Sequence, residues 1–74
     1  MTELPVVSGK EVVTALQRAG YFIRRQRGSH VRMYHAAKPP VTVALAKTVK
    51  KGTLRKILRD AELEPADFVK LLKT

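Results

Sequence analysis

Between Tyr21 and Ala46 two turn signals divide the chain into three short β-prone runs, and this division limits the folds open to it more than any other feature. Tyr21 to Gln26 brings Tyr, Phe and Ile together, residues that suit a half-buried pleated surface. Arg27-Gly28 then reads as a short turn and Ser29 to His35 resumes as a strand, which is a hairpin signal. Lys38-Pro39-Pro40 forms a second, stiffer connection. Val41 to Ala46 follows as a third strand, with Val41, Val43 and Leu45 alternating against Thr42, Ala44 and Ala46.

Helical patterns flank these strands. Ser8-Gly9-Lys10-Glu11 is a capping box, in which the Ser8 hydroxyl and the Glu11 carboxylate each take a free backbone N–H. Val7 and Val12 stand where a hydrophobic staple would fix the chain's entry. Val12, Val13, Leu16 and Ala19 share one face, and Gly20 is a natural left-handed stop, so the first helix spans Gly9 to Ala19. A second helix begins between Thr48 and Thr53 with Leu54, Ile57, Leu58 and Ala61 as its apolar face. Pro65 suits the first turn of a short third helix carrying Phe68, Leu71 and Leu72.

The predicted order is therefore α-β-β-β-α with a short extra C-terminal helix, an α+β fold with a three-stranded antiparallel sheet and helices on one face. The 74 residues make a single domain, 1–74. One sheet face is left open. Alternation along the second strand turns Val31 and Met33 toward the helices and places His30, Arg32 and Tyr34 on the open face, joined by Thr42 and Ala44 from the third strand.

Charge narrows the partners. Fifteen Lys and Arg against six Asp and Glu give a net +9 on a very small surface, a field that favours a polyanion. Cysteine is absent, which removes disulfides and thiolate metal sites and fits a reducing, cytoplasmic setting. No apolar run approaches membrane-spanning length, and Met1 to Ser8 has neither the basic start nor the apolar core of a signal peptide.

Most enzyme classes find no support. There is no Cys nucleophile, no Gly-rich phosphate loop, and no acid pair resembling a hydrolase dyad. His30 and His35 point to opposite faces of their strand and lack carboxylates at ligand spacing, so no metal site is expected. His35 reads as a structural residue near the strand end. What remains is Gly28-Ser29-His30 beside a turn, among Arg24, Arg25, Arg27 and Arg32. That set suits RNA cleavage without a cofactor. RNA carries its own nucleophile, the 2′-hydroxyl, so a protein need only remove that proton and stabilise charge at phosphorus. An imidazole acts as a base near neutral pH, cationic neighbours favour its neutral form, and arginines supply the charge. Lys47, Lys50, Lys51 and Gly52 form a second basic cluster at the start of the second helix, where free N–H groups also attract phosphate. Against this stands a non-catalytic double-stranded-RNA-binding module, which the fold class and charge fit equally. Such a module has no need of a histidine on the open face. A DNA-binding regulator fits less well, because no helix-turn-helix pattern is present and the first helix has few basic residues.

Leu4-Pro5, Ser8-Gly9-Lys10-Glu11-Val12, Gly20-Tyr21-Phe22, Arg25-Gln26-Arg27-Gly28-Ser29-His30 and the run Lys51-Gly52-Thr53-Leu54-Arg55-Lys56-Ile57-Leu58-Arg59 resemble the successive motifs of the HicA toxins. The resemblance covers nearly the whole chain, and the Gly-Ser-His and Gly-Thr-Leu-Arg segments at this spacing are specific. It implies a fold like the double-stranded-RNA-binding domain, endoribonuclease action on mRNA, and neutralisation by a HicB-type antitoxin. It carries the catalytic role onto His30, with Gly28 and Ser29 positioning it. RNA contacts are expected from Arg24, Gly28, Ser29, Arg32, Lys47, Lys50 and Lys51. Many relatives have a further histidine after the third strand, where this chain reads Ala44. Protonation of the leaving group then falls to water, Tyr34 or a lysine.

Overall fold

A computed structural model describes residues 3–74, and the part of the signal-peptide reading that rests on Met1 and Thr2 lies outside the described residues. The elements follow the order α1 (Gly9–Arg18), β1 (Phe22–Arg27), β2 (His30–Tyr34), β3 (Val41–Ala44), α2 (Lys51–Asp60) and α3 (Pro65–Lys73). Both sheet pairings are antiparallel, with spatial order β1-β2-β3. This is the α+β arrangement that the sequence pattern predicts.

Local chemistry sets the helix ends. The Glu11 amide donates to Ser8 Oγ at 3.1 Å and the Ser8 amide donates to Glu11 Oε1 at 2.9 Å, so the capping box is complete. Gly20 follows α1 with φ +100°, a conformation that side chains with a Cβ rarely adopt. At the far end of α1, Arg18 donates to the Leu71 carbonyl at 2.6 Å. That cation lies against the C-terminal turn of α3, where free carbonyls attract positive charge. Pro65 occupies the first turn of α3, as expected.

The core forms where the helices meet one sheet face. Val31 and Met33 of β2 and Val41 and Val43 of β3 are buried against Val12, Val13 and Leu16 of α1, Leu54, Ile57 and Leu58 of α2, and Phe68 of α3. Both strands alternate strictly, exposing His30, Arg32 and Tyr34 and, on β3, Thr42 and Ala44. The predicted open face is therefore present.

Three local expectations are corrected. The tight turn is Gly28-Ser29 and not Arg27-Gly28, because Arg27 still pairs with His30. Gly28 has φ +54°, the sign that tight hairpin turns require. β3 ends at Ala44, short of Ala46. Beyond it the Leu45 amide donates to the Ser29 carbonyl at 2.6 Å and the Gly9 amide donates to the Ala46 carbonyl at 2.9 Å. The chain thus leaves the ladder to meet the start of α1, and Leu45 is left 37% exposed instead of joining the core. Finally, β1 is exposed along its whole length while Tyr21, just before it, is buried. β1 is an edge strand, with a neighbour on one side only.

Candidate active site on the open sheet face

Strand register decides which side chains meet on the open face. His30 pairs with Arg27 on β1 and with Ala44 on β3, and Arg32 pairs with Arg25 and with Thr42. Tyr34 pairs with Phe22. The β1–β2 register slips between Ile23 and Arg25, leaving Arg24 as an extra, bulged residue. Strict alternation would send Phe22 to the face opposite Arg25 and Arg27. The bulge inverts that parity and delivers Phe22, Arg25 and Arg27 together to the face that carries His30.

The result is an open cleft of about 430 Å³ lined by Arg24, Arg25, Arg27, His30, Arg32, Tyr34 and Thr42. Four guanidinium groups and one imidazole thus border a space with no acidic side chain in its lining. Arg32 is held on two sides. It donates to Thr42 Oγ1 at 2.9 Å, and its guanidinium carbon lies 5.8 Å from the centroid of the Tyr34 ring. An arginine fixed in this way presents its remaining N–H groups to solvent without a large ordering cost. Oxyanions of a phosphodiester match such a set in charge and in hydrogen-bond polarity.

The residues expected from the sequence separate into two groups. His30, Arg24 and Arg32 meet in the cleft. Gly28 and Ser29 form the turn that precedes His30, and the Ser29 carbonyl ties that turn to Leu45. Lys47, Lys50 and Lys51 do not line the cleft. They belong to the segment running from the end of β3 into α2, which is fastened by the bridge between Val7 and Val49. Lys50 caps α2 without a side-chain hydrogen bond, and the first turn of that helix has no acid. Lys51 lies 3.6 Å from Glu3, an exposed pair worth little to stability. Arg25 and Arg27, which the sequence places near His30 without assigning them RNA contacts, line the cleft as well, and the register reveals which of the neighbouring arginines share a face.

The second histidine is built into the scaffold. His35 Nδ1 accepts from the Ala37 amide at 2.9 Å, and its ring lies 5.0 Å from that of Tyr21. Tyr21 itself donates from its hydroxyl to the Pro39 carbonyl at 2.7 Å. Burial, with smaller contributions from Glu62 and Asp60, raises the Tyr21 phenol above its ordinary pKa. Among the described residues no group of three or more His, Cys, Asp or Glu side chains comes together as a metal site would require. No helix among them is long and apolar enough to cross a membrane.

A three-stranded sheet covered by helices on one side, with a histidine and an arginine-lined cleft on the other, defines a small α+β domain with a basic open face. The family of HicA toxins of bacterial toxin–antitoxin systems matches residues 9–63, a stretch that includes every residue of the cleft. The chain belongs to that family, and a toxin–antitoxin partner is implied with it. No curated protein matches the chain.

Proposed function

We propose that this protein is an endoribonuclease that cuts mRNA in the open-face cleft, with His30 as its catalytic acid–base group and no metal ion. The observation that carries this reading is the isolation of His30 at one end of a cleft whose other charged lining residues are all arginines. In the reaction His30 takes the proton of a ribose 2′-hydroxyl, and the 2′-oxygen attacks the adjacent phosphorus. The bond from phosphorus to the 5′-oxygen breaks. The products are a 2′,3′-cyclic phosphate and a 5′-hydroxyl, the latter completed by a proton from water or an acid in the site. Arg25, Arg27 and Arg32 offset the added negative charge at phosphorus, a contribution that fixed donors make without reorganising. Ala44 stands directly across from His30, so this chain works with one imidazole at the scissile site. Lys47, Lys50 and Lys51 extend the RNA contact beyond the cleft, and a HicB-type antitoxin neutralises the toxin.

His30→Ala tests this reading. His30 is exposed, so its loss leaves no core cavity and costs within about 0.5 kcal/mol. RNA affinity rests on Lys and Arg. The expected result is an unchanged melting temperature, near-normal RNA binding, and cleavage and toxicity reduced by about 10²-fold or more. His35→Ala is the control, and it retains cleavage where it folds. Cleavage near the wild-type rate in folded His30→Ala would remove His30 from the catalytic role, and binding without cleavage by the wild type would leave a duplex-RNA-binding module as the better account.

A further inference from the structure

The chain has four aromatic residues, two Tyr and two Phe, and they are used in two ways. Tyr21 and Phe68 are buried in the core. Phe22 and Tyr34 are 50% and 39% exposed, pair across β1 and β2, and bring their ring centroids to 6.5 Å. Core packing does not account for them, since burying such a ring is worth more than leaving it in water. Their position is specified by structure: Phe22 reaches this face only because of the bulge at Arg24.

The surroundings identify the occupant. Arg32 lies against the Tyr34 ring and Arg25 occupies the register position beside it, so the aromatic pair continues directly into the arginine cleft. An apolar ring surface bordered by guanidinium groups matches a nucleotide, with its flat base and its phosphate. Bases inside a duplex are already stacked on one another, whereas an unpaired base offers a free face to a sheet-borne ring. We infer that Phe22 and Tyr34 form a stacking site for an unpaired base of an RNA strand whose backbone runs along Arg25 and Arg32 toward His30. This rests on the proposed reading that the substrate is RNA, and it adds that the strand is single in this region. His30 and Tyr34 are separated by roughly 13 Å at the usual strand rise, so the stacked base lies outside the reacting nucleotide and selects the conformation of the substrate.

The test uses a fully 2′-O-methylated single-stranded oligonucleotide carrying 2-aminopurine, and its duplex. The probe lacks the nucleophilic hydroxyl and stays intact, and stacking quenches its fluorescence. Wild type is expected to quench the single strand and bind it more tightly than the duplex. Phe22→Ala and Tyr34→Ala should each weaken single-strand binding by about tenfold and relieve the quenching, with duplex binding unchanged. Tyr34→Phe, which keeps a ring, should bind and quench the probe as wild type does, and Phe22→Leu, which keeps only apolar bulk, should bind it as Phe22→Ala does. The proposal is overturned if the alanine variants match wild type, or if single-strand and duplex binding fall together. It is also overturned if the variants lose only antitoxin binding, which would make the pair a protein contact. Cleavage of ordinary RNA by the same preparations separates the two readings. Normal cleavage without stacking removes only the base site, and stacking without cleavage removes only the nuclease. Failure of wild type to bind either oligonucleotide overturns the base site as well.

Discussion

Gly9 and Ala44 meet so closely that no side chain fits between them. A Cβ at Gly9 would collide with the Ala44 carbonyl oxygen and approach the Leu45 Cα to 2.7 Å. The first residue of α1 is thereby seated on the backbone at the end of β3, and Ala44 is the residue that faces His30.

Gly9→Ala is accordingly expected to destabilise, although alanine favours helix by about 1 kcal/mol over glycine. Backbone must shift to admit the methyl, at a cost of about 3 kcal/mol, which lowers the Tm of a domain this size by roughly 10 °C or more. A thermal melt checks it, and a Tm within a few degrees of wild type would show that the contact yields easily.

Ala44→His should place a second imidazole across from His30 at an exposed position. If the cleft cuts RNA with His30 alone, the added group supplies the missing acid. Cleavage should rise about tenfold or more, and the pH–rate profile should become bell-shaped. An unchanged profile would mean that protonation of the leaving oxygen does not limit the rate.

Replacing Lys50 and Lys51 together by alanine should reduce the salt dependence of RNA binding. Each phosphate contact contributes about 0.7 to the slope of log affinity against log salt for a single strand, so losing both lowers it by roughly 1.4. Isothermal binding across a salt series measures this. A slope equal to that of wild type would confine the RNA interface to the arginine cleft.

Tyr21 gives the protein an alkaline limit. Its phenol titrates at a higher pH folded than unfolded, so its contribution is fully present below the unfolded value of 10.0 and is lost as pH rises through the folded one. Tyr21→Phe should cost about 1 kcal/mol at neutral pH, through the lost bond to the Pro39 carbonyl, yet lose less stability above pH 10 than wild type. Denaturation series at neutral and alkaline pH decide it, and parallel losses in the two proteins would assign the limit to another group.

The antitoxin is expected to cover the His30 face with an acidic or mixed-charge surface, competing with RNA for the arginines. Hydrogen exchange on the complex should show protection in β1 and β2. Protection confined to the helices would contradict direct occlusion.

Much of this molecule was legible in its residues because the signals are local. A capping box needs only Ser8 and Glu11, a left-handed stop needs only Gly20, and the alternation of Val31 and Met33 with His30, Arg32 and Tyr34 assigns faces whatever the partner strands do. Leu45 misled because its alternation continues that of Val41 and Val43, while bonds from Leu45 to Ser29 and from Gly9 to Ala46 end the strand first. Composition likewise announced a basic surface without showing where the charge gathers.

The sequence by itself determined the order of elements, the open face of β2, and the presence of His30 on it. Tertiary structure decided the company His30 keeps. The bulge at Arg24 exists only when β1 is paired with β2, and that pairing gathers Arg25, Arg27 and Phe22 on one side. Register is a relation between strands, set by hydrogen bonds and packing across the sheet, and a one-residue slip exchanges every face beyond it.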